Sequence, residues 1–332
     1  PSWITNEVDY FILKKMEALE FSPNDAARKD ALIKRVYADL IGLPPSYNEL
    51  NHWRSISNEN WYERLIEDLL QKPAYGEKLA LLWMDLARYA DSYGFQDDNI
   101  RSQWPWRDWV IHAFNDNLPY DQFLINQIAG DLLPHATKKN ILATAFFRNH
   151  KFTEEGGVID EEYRVSYNID KTKTYGKAFL GVTIECAQCH DHKYDPFSNR
   201  DYYQLYAFFN ESKEKGYEGD VSVSTPAKNP KLLISAQERN KLLSFLNTSD
   251  TNQLEVSVMG DWSPKDSIKP RATYILARGS YDAPTDQLVK PTALESIMPF
   301  DTTKYQRNRL GLAQWTTNAQ NPLTSRVFVN FI

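Results

Sequence analysis

The chain has 332 residues, of which 42% are hydrophobic and 25% are charged, so it has enough apolar material for a folded core and room for two domains. The net charge is −6 with acidic and basic residues interspersed, which excludes the basic stripe that binds a phosphate backbone, and we expect no nucleic-acid partner. No apolar run approaches 18 residues, and we therefore expect no transmembrane segment in this chain.

Apolar residues recur at helical spacing from residue 7 to about 210, which predicts a mainly α, multi-helix domain. The first predicted helix carries Val8 to Leu19, and the second is expected to be capped at Ser22 and to end before Gly42. Further helices are predicted near residues 58–71, 76–91, 106–116, 120–129, 137–149 and 160–180.

Two polar loops interrupt these helices. The first, FQDDNIRSQWPWRDW (95–109), carries three tryptophans. It is expected either to present a sugar-stacking platform or, as we favour, to be pinned to the core by its indole rings. The second, KFTEEGGVIDEEYR (151–164), combines a Gly-Gly pair with carboxylates that suit the start of the following helix.

The composition changes after residue 213. Residues 214–264 have the character of a linker with one short helix at 235–247, whereas LEVSVMGDW and RATYILARGSYD alternate in the manner of strands. Helical spacing returns from residue 305. We therefore predict an α-helical domain at 1–213, the linker, and a small α+β region at 265–332 that is the start of a truncated C-terminal partner domain.

The two cysteines of the chain, Cys186 and Cys189, lie directly before His190. The pattern C-x-x-C-H is the attachment signature of c-type haem, in which both thiols reach the porphyrin vinyl groups and the histidine is the proximal iron ligand. Such attachment takes place outside the cytoplasm, so we expect a periplasmic, extracellular or cell-surface location. The chain starts at Pro1 without a signal peptide, which indicates a processed product or an excised fragment.

The sixth iron ligand would decide between an electron carrier and a catalyst, because an open position admits peroxide, oxygen or substrate. His150, at the end of a predicted helix, is the first candidate for this distal position. His192 is better placed for a supporting hydrogen bond or for an alternative metal site. The other candidates are the remaining histidines and Met16, Met84, Met259 and Met298, of which Met84 is expected to fill the core.

Other interpretations of the cysteine segment stay open. Cys186 and Cys189 could form a thioredoxin-like redox pair or a plain structural disulfide, or they could bind zinc together with His190 and His192. A non-redox binding module would combine the disulfide with a divalent metal ion held by His190, His192, Asp191 and Asp195. A third class is a hydrolase or lyase that uses His150, Glu154 or Glu155.

Several motifs occur together in the order seen in one known family. The segments LIKRVYADLIGLPP (32–45), LWMDLARYADSYGF (82–95), FFRNHKFTEEGGVIDEEYR (146–164) and CAQCHDHKYDPFSNRDYYQLYAFFN (186–210) resemble the planctomycete-type cytochrome c domain proteins. The resemblance covers residues 7 to about 213. PRATYILARGSYDAP (270–284) resembles the opening of the partner domain that often follows in that family.

The resemblance implies a secreted haem c module in which Cys186 and Cys189 form the thioether bonds and His190 is the axial ligand. It also implies a source whose genome is rich in polysaccharide-degrading enzymes. We therefore expect an exported monohaem protein that transfers electrons or performs a haem-based oxidation linked to polysaccharide use, with a redox protein and a polysaccharide as partners. Only about fifty residues separate the two regions here, whereas many relatives carry a larger insert or a carbohydrate-binding-like module.

Overall fold

The computed structural model describes residues 3–242, 253–263, 266 and 270–331. About 51% of the chain is helical, and the strands form two small antiparallel sheets in the C-terminal region, so the predicted mainly α fold class is confirmed. The chain divides into two compact units, Pro1–Tyr75 and Gly76–Ile332. Among the described residues, none of the helices combines the length and the apolar character needed to cross a bilayer.

The first unit contains four helices, α1 (Glu7–Ala18), α2 (Lys29–Ile41), α3 (Tyr47–Ser55) and α4 (Trp61–Leu70). Its core is formed by Ile33, Tyr37, Trp53, Leu65 and neighbouring apolar side chains. Ile33 and Tyr37 are four positions apart on α2, and Leu65 and Leu69 are four positions apart on α4, so each of these helices buries one face, while Trp53 comes from α3.

Two sequence expectations for the first unit differ from the structure. The cap predicted at Ser22 is wrong, because α2 begins at Lys29 and the preceding residues carry no apolar face that could bury a helix there. Helix α3 was not predicted at all. Its start is marked by a capping box in which Ser46 and Glu49 bind each other's backbone N–H groups, a signal that the sequence does contain.

The remaining helices and strands of the described residues belong to the second unit, except that the first three residues of α5 precede its boundary. The helices are α5 (Pro73–Ala87), α6 (Trp104–Asn115), α7 (Tyr120–Ala129), α8 (Lys138–Ala143), α9 (Asp160–Tyr175), α10 (Asn199–Asn210), α11 (Ala236–Leu242), α12 (Arg309–Thr316) and α13 (Thr324–Phe331). Strands β1 (Lys231–Ile234) and β2 (Leu254–Ser257) pair antiparallel, as do β3 (Thr273–Leu276) and β4 (Pro284–Val289). The end of the predicted helix at 235–247 lies outside the described residues.

One continuous core joins the helices of the second unit to its strands. Trp83, Trp106 and Phe146 lie in this core together with Val256 of β2 and Ile275 of β3. The three tryptophans of the segment 95–109 lie at the start of α6 rather than in a loop. Trp106 and Trp109 are buried and cannot stack on a sugar, and Trp104 packs partly buried against the core, so the indole rings pin this segment. The predicted domain boundaries at 213/214 and 264/265 stay predictions. Apolar side chains that precede and follow each boundary lie in this same core.

Helices α9 and α10 bracket the cysteine segment. Helix α9 continues into a π-helical turn, Gly176–Leu180, which ends at Gly181 in the left-handed backbone conformation with φ 63°. A side chain is disfavoured at that φ, so glycine permits the sharp reversal after the helix. The chain then enters a short 3₁₀ turn, Glu185–Gln188, and reaches α10 through an exposed loop.

Candidate functional site

The cysteine segment is an exposed turn attached to the second unit. Cys186 lies within the 3₁₀ turn and Cys189 directly after it, and both are exposed free thiols. Ala187 between them is fully buried, so the turn is anchored by its middle while its sulfur atoms stay accessible. The structure therefore contains no Cys186–Cys189 disulfide.

Helix α10 fixes the backbone of this turn. The side-chain amide of Asn199 donates hydrogen bonds to the carbonyl oxygens of Ala187 (2.7 Å) and Gln188 (3.0 Å). The hydroxyl of Tyr203, one helical turn later, donates to the same Gln188 oxygen at 3.1 Å. Because α10 is capped by Ser198 and buries most of its length in the core, it is a rigid support for the turn.

The ring of His190 is exposed and has a defined tautomer. Its Nδ1 lies 2.7 Å from the carbonyl oxygen of Asp191, which accepts but cannot donate, so Nδ1 carries the proton. The lone pair of a neutral imidazole is then on Nε2, the nitrogen that is available to a metal ion. Nε2 has no hydrogen-bond partner among the described residues.

His192 has the opposite tautomer. Its Nδ1 accepts the backbone N–H of Asp195 at 2.9 Å, so the proton of the neutral ring is on Nε2. His192 therefore presents a donor where His190 presents a lone pair. His190 and His192 are therefore not equivalent metal ligands. Within the described residues, no three or more His, Cys, Asp or Glu side chains lie close enough together to hold a metal ion.

The structure places His150 in a buried ionic cluster. Its side chain is 3% exposed, its Nδ1 is bonded to the carbonyl oxygen of Lys151 at 2.6 Å, and its Nε2 is bonded to Glu214 at 2.8 Å. Glu214 also forms ion pairs with Arg148 (2.8 Å) and Lys171. Both partner oxygens only accept, so the neutral ring can donate a hydrogen bond to one of them. A distal-ligand role for His150 stays a prediction.

The charges of this cluster stabilise one another. Burial works to raise the pKa of Glu214, but Arg148, Lys171 and His150 outweigh it and hold that pKa well below its usual value. Burial lowers the pKa of Lys171 to about 8 and also lowers the pKa of His150. The cluster is thus a buried carboxylate in contact with three basic side chains.

Most of the remaining sequence candidates also lie in structural positions, whereas Met16 is partly exposed on α1 and Glu155 accepts the backbone N–H of Gln96 at 2.8 Å. Met259 and Met298 are buried in the core, and Met84 packs against it as expected. Glu154 is 2% exposed and is bound by Lys228, by Ser224 (2.7 Å) and by Asn99 (2.8 Å). Burial would raise the pKa of Glu154, but these hydrogen bonds lower it overall, which keeps the carboxylate ionised in a buried ion pair.

Sequence reasoning missed the residues that position the site. Asn199 and Tyr203 hold the turn, and the carbonyl oxygen of Arg278 accepts the Cys189 thiol at 3.3 Å. The start of α10 has a signal in the sequence, since Ser198 and Asp201 form a capping box. The contact with Arg278 has none, because 89 positions separate the two residues.

Comparison with known proteins gives one family. Residues 7–214 match the family model PSCyt2, described as a protein of unknown function (DUF1549). No curated protein and no solved structure matches the chain. The matched range covers more than half of the 332 residues and includes the cysteine segment, His150 and Glu154.

Proposed function

The chain belongs to the DUF1549 family of proteins of unknown function, and from this premise we propose that it is an exported c-type monohaem protein. Its haem would be attached at Cys186 and Cys189 and ligated by His190. In this proposal the protein works in a haem-based oxidation or in electron transfer, with a redox protein as its partner. The site lies within the part of the chain that matches the family.

One observation carries the proposal. Two free thiols and a histidine with an unoccupied Nε2 lone pair lie on a single exposed turn. Covalent haem attachment needs accessible thiols, and iron ligation needs a neutral imidazole whose other nitrogen is held by an acceptor. Cys186, Cys189 and His190 meet these requirements, so the residues present fit the group.

The roles of the chain's own residues follow from this geometry. Cys186 and Cys189 would each hold the haem through a thioether bond to one vinyl group, with the thiol hydrogen on the adjacent carbon, so that attachment would need no oxidant. His190 would offer Nε2 to the iron while the backbone carbonyl oxygen of Asp191 holds Nδ1–H. His192 offers an N–H donor. When bound, haem supplies one-electron and peroxide or oxygen chemistry.

Three of the candidate distal ligands are already held elsewhere in the protein, which supports oxidation chemistry in this proposal. Both ring nitrogens of His150 are engaged, and Met259 and Met298 are enclosed in the core. An iron that lacks a second strong protein ligand admits small molecules, which favours oxidation chemistry. The link to polysaccharide use rests on the family resemblance, since Trp106 and Trp109 are buried.

Export of the chain together with a cytochrome c maturation system tests the proposal. We expect the intact mass to exceed that of the polypeptide by one haem and the haem stain to survive denaturing electrophoresis. Cys186→Ala and Cys189→Ala should each weaken retention, and the double variant should lose it, because two thioether bonds become one and then none. A colourless protein of bare polypeptide mass would contradict the proposal, and stoichiometric zinc in that sample would favour the metal-binding alternative.

Histidine variants of the same preparation test the ligand assignment. His190→Ala should change the visible spectrum, whereas His150→Gln should leave the spin state unchanged because His150 lies in the ionic cluster. His52→Ala, in the exposed part of α3, is the control. Identical spectra for His190→Ala and His52→Ala would exclude His190 as the axial ligand.

A further inference from the structure

A cavity of about 390 Å³ in the second unit lies apart from the cysteine turn. It is lined by the segment around Ser92–Arg101, by residues 149–151 and by the middle of α9. Its volume is in the range of small-ligand sites, and its walls combine apolar surface with a few polar groups, as such sites do. Neither cysteine nor His190 lines it.

Asn149 is the first sign that this cavity is built for a ligand. The residue is 2% exposed, yet both its side-chain nitrogen and its side-chain oxygen are buried without a hydrogen-bond partner. The backbone around it is held firmly, since Arg101 donates to the carbonyl oxygens of Asn149 (2.9 Å) and His150 (2.8 Å). Buried amides almost always have partners, so an amide left unpaired against a cavity indicates a missing polar molecule.

Arg88 is a second and independent sign. Its Nη2 pairs with Oδ1 of Asp170 at 2.7 Å, while Nε and Nη1 are buried without a hydrogen-bond partner. Arg88 also has a positive φ of 56°, a conformation that costs free energy for a residue with a side chain. The fold thus holds an arginine with unused donors at the wall of the cavity.

We propose that this cavity binds a small hydroxylated carboxylate, such as a sugar acid. The guanidinium of Arg88 matches the two oxygens of a carboxylate. The side-chain amide of Asn149 both donates and accepts, which a hydroxyl group can satisfy in both directions. The exposed Lys151, whose ammonium lies 5.6 Å from the ring centre of Phe95, adds positive charge at the cavity. The proposal does not depend on haem attachment.

Isothermal titration of the full 332-residue chain with D-gluconate tests this site. Sorbitol has the same carbon chain without the carboxylate, and we expect it not to bind. Inorganic sulfate is the third probe, because it offers an anion without hydroxyl groups on carbon. Binding of gluconate but not of sorbitol supports the proposal. Absence of gluconate binding overturns it, and so does sulfate binding of equal strength that Asn149→Ala leaves unchanged.

Two variants locate the binding. Arg88→Gln should weaken gluconate binding at least about tenfold, because a charge-assisted pair of hydrogen bonds is lost. Arg54→Gln, which removes a similar ion pair with Asp30 in the first unit, should leave the affinity unchanged. Equal affinity of Arg88→Gln and Arg54→Gln would overturn the site.

Asn149→Ala keeps the test decisive if Arg88→Gln does not fold. The amide has no partner within the protein, so its removal should weaken gluconate binding without lowering the thermal midpoint of unfolding. A lower midpoint with unchanged affinity would show that Asn149 is structural and would contradict the proposal.

Discussion

Glu214 is the buried carboxylate on which Arg148, His150 and Lys171 converge. Each of these side chains is 3% exposed or less. Removing the charge of one member of a buried ion pair is costly, because the opposite charges then lie in a medium of low polarity without compensation. The contribution of this cluster to the stability of the fold therefore depends on Glu214 being ionised.

Glu214→Gln should lower the free energy of unfolding by about 3–5 kcal/mol at pH 7. The folded protein holds the pKa of Glu214 below its unfolded value, so its contribution is present above the unfolded pKa of about 4.5 and is lost as the pH falls. The difference between variant and wild type should therefore shrink in acid. Urea unfolding at pH 7 and at pH 4 measures both effects.

Glu255→Gln is the matched control for this prediction. Glu255 pairs with Lys231 at 2.7 Å on the partly exposed face of β1 and β2, where solvent screens the interaction. We expect its loss to cost less than about 1 kcal/mol at both pH values. Equal destabilisation by the two substitutions would refute the role assigned to the buried cluster.

The turn Glu185–Gln188 shows how one element positions another. It has few internal hydrogen bonds, and two of its carbonyl oxygens are bound by Asn199 of α10. Short 3₁₀ segments have poor hydrogen-bond geometry of their own, so outside donors decide whether they hold one shape. The side chains of Cys186 and Cys189 are oriented by α10 in this way.

Asn199→Ala should loosen the turn while α10 stays intact, because the Ser198 cap is unaffected. The loss of two hydrogen bonds costs about 1–3 kcal/mol locally. We expect amide hydrogen exchange in residues 182–197 to become faster by about tenfold or more. Arg200→Ala, at the exposed next position of the same helix, should leave hydrogen exchange as in the wild type. Equal exchange rates in the Asn199→Ala and Arg200→Ala variants would contradict the role of Asn199 in holding the turn.

At the scale of the whole molecule, polar side chains within residues 7–214, the range that matches the family, form hydrogen bonds with backbone groups that follow residue 214. Arg148 donates to the carbonyl oxygen of Val258 at 2.8 Å, and Gln103 donates to that of Ser257 at 3.1 Å. Arg309 of α12 forms an ion pair with Asp131 at 2.6 Å. These contacts are buried or partly buried, so they are strong links between the two parts.

A chain that ends after Gly219 should therefore fail to form the native core. It would keep the whole matched range but lose the partners of Arg148, Gln103 and Asp131, and it would uncover the core side chains that face β2 and β3. We expect near-native helical content by far-ultraviolet circular dichroism, with dye binding to exposed apolar surface and no cooperative thermal transition. A cooperative transition like that of the full chain would show that residues 1–219 are sufficient for folding.

The helices were largely predictable because their signal is local. A spacing of apolar residues at three and four positions is enough to place α4, α5 and α7, and alternation is enough to place β2 and β3. Helix α3 was missed because its evidence is a capping box rather than an apolar face. The cap at Ser22 was wrong because a capping residue matters only where a buried face follows.

The sequence by itself determined the mainly α fold class, the placement of Cys186 and Cys189 directly before His190, and the strands near the C-terminus. Each of these features depends on neighbours within a few positions. Only the tertiary structure decided the surroundings of single side chains. His150 meets Glu214 across 64 positions, and the unpaired amide of Asn149 is recognisable only once the surrounding wall is in place. Burial and hydrogen-bond partners come from chain segments that are distant in sequence, and no local pattern encodes them.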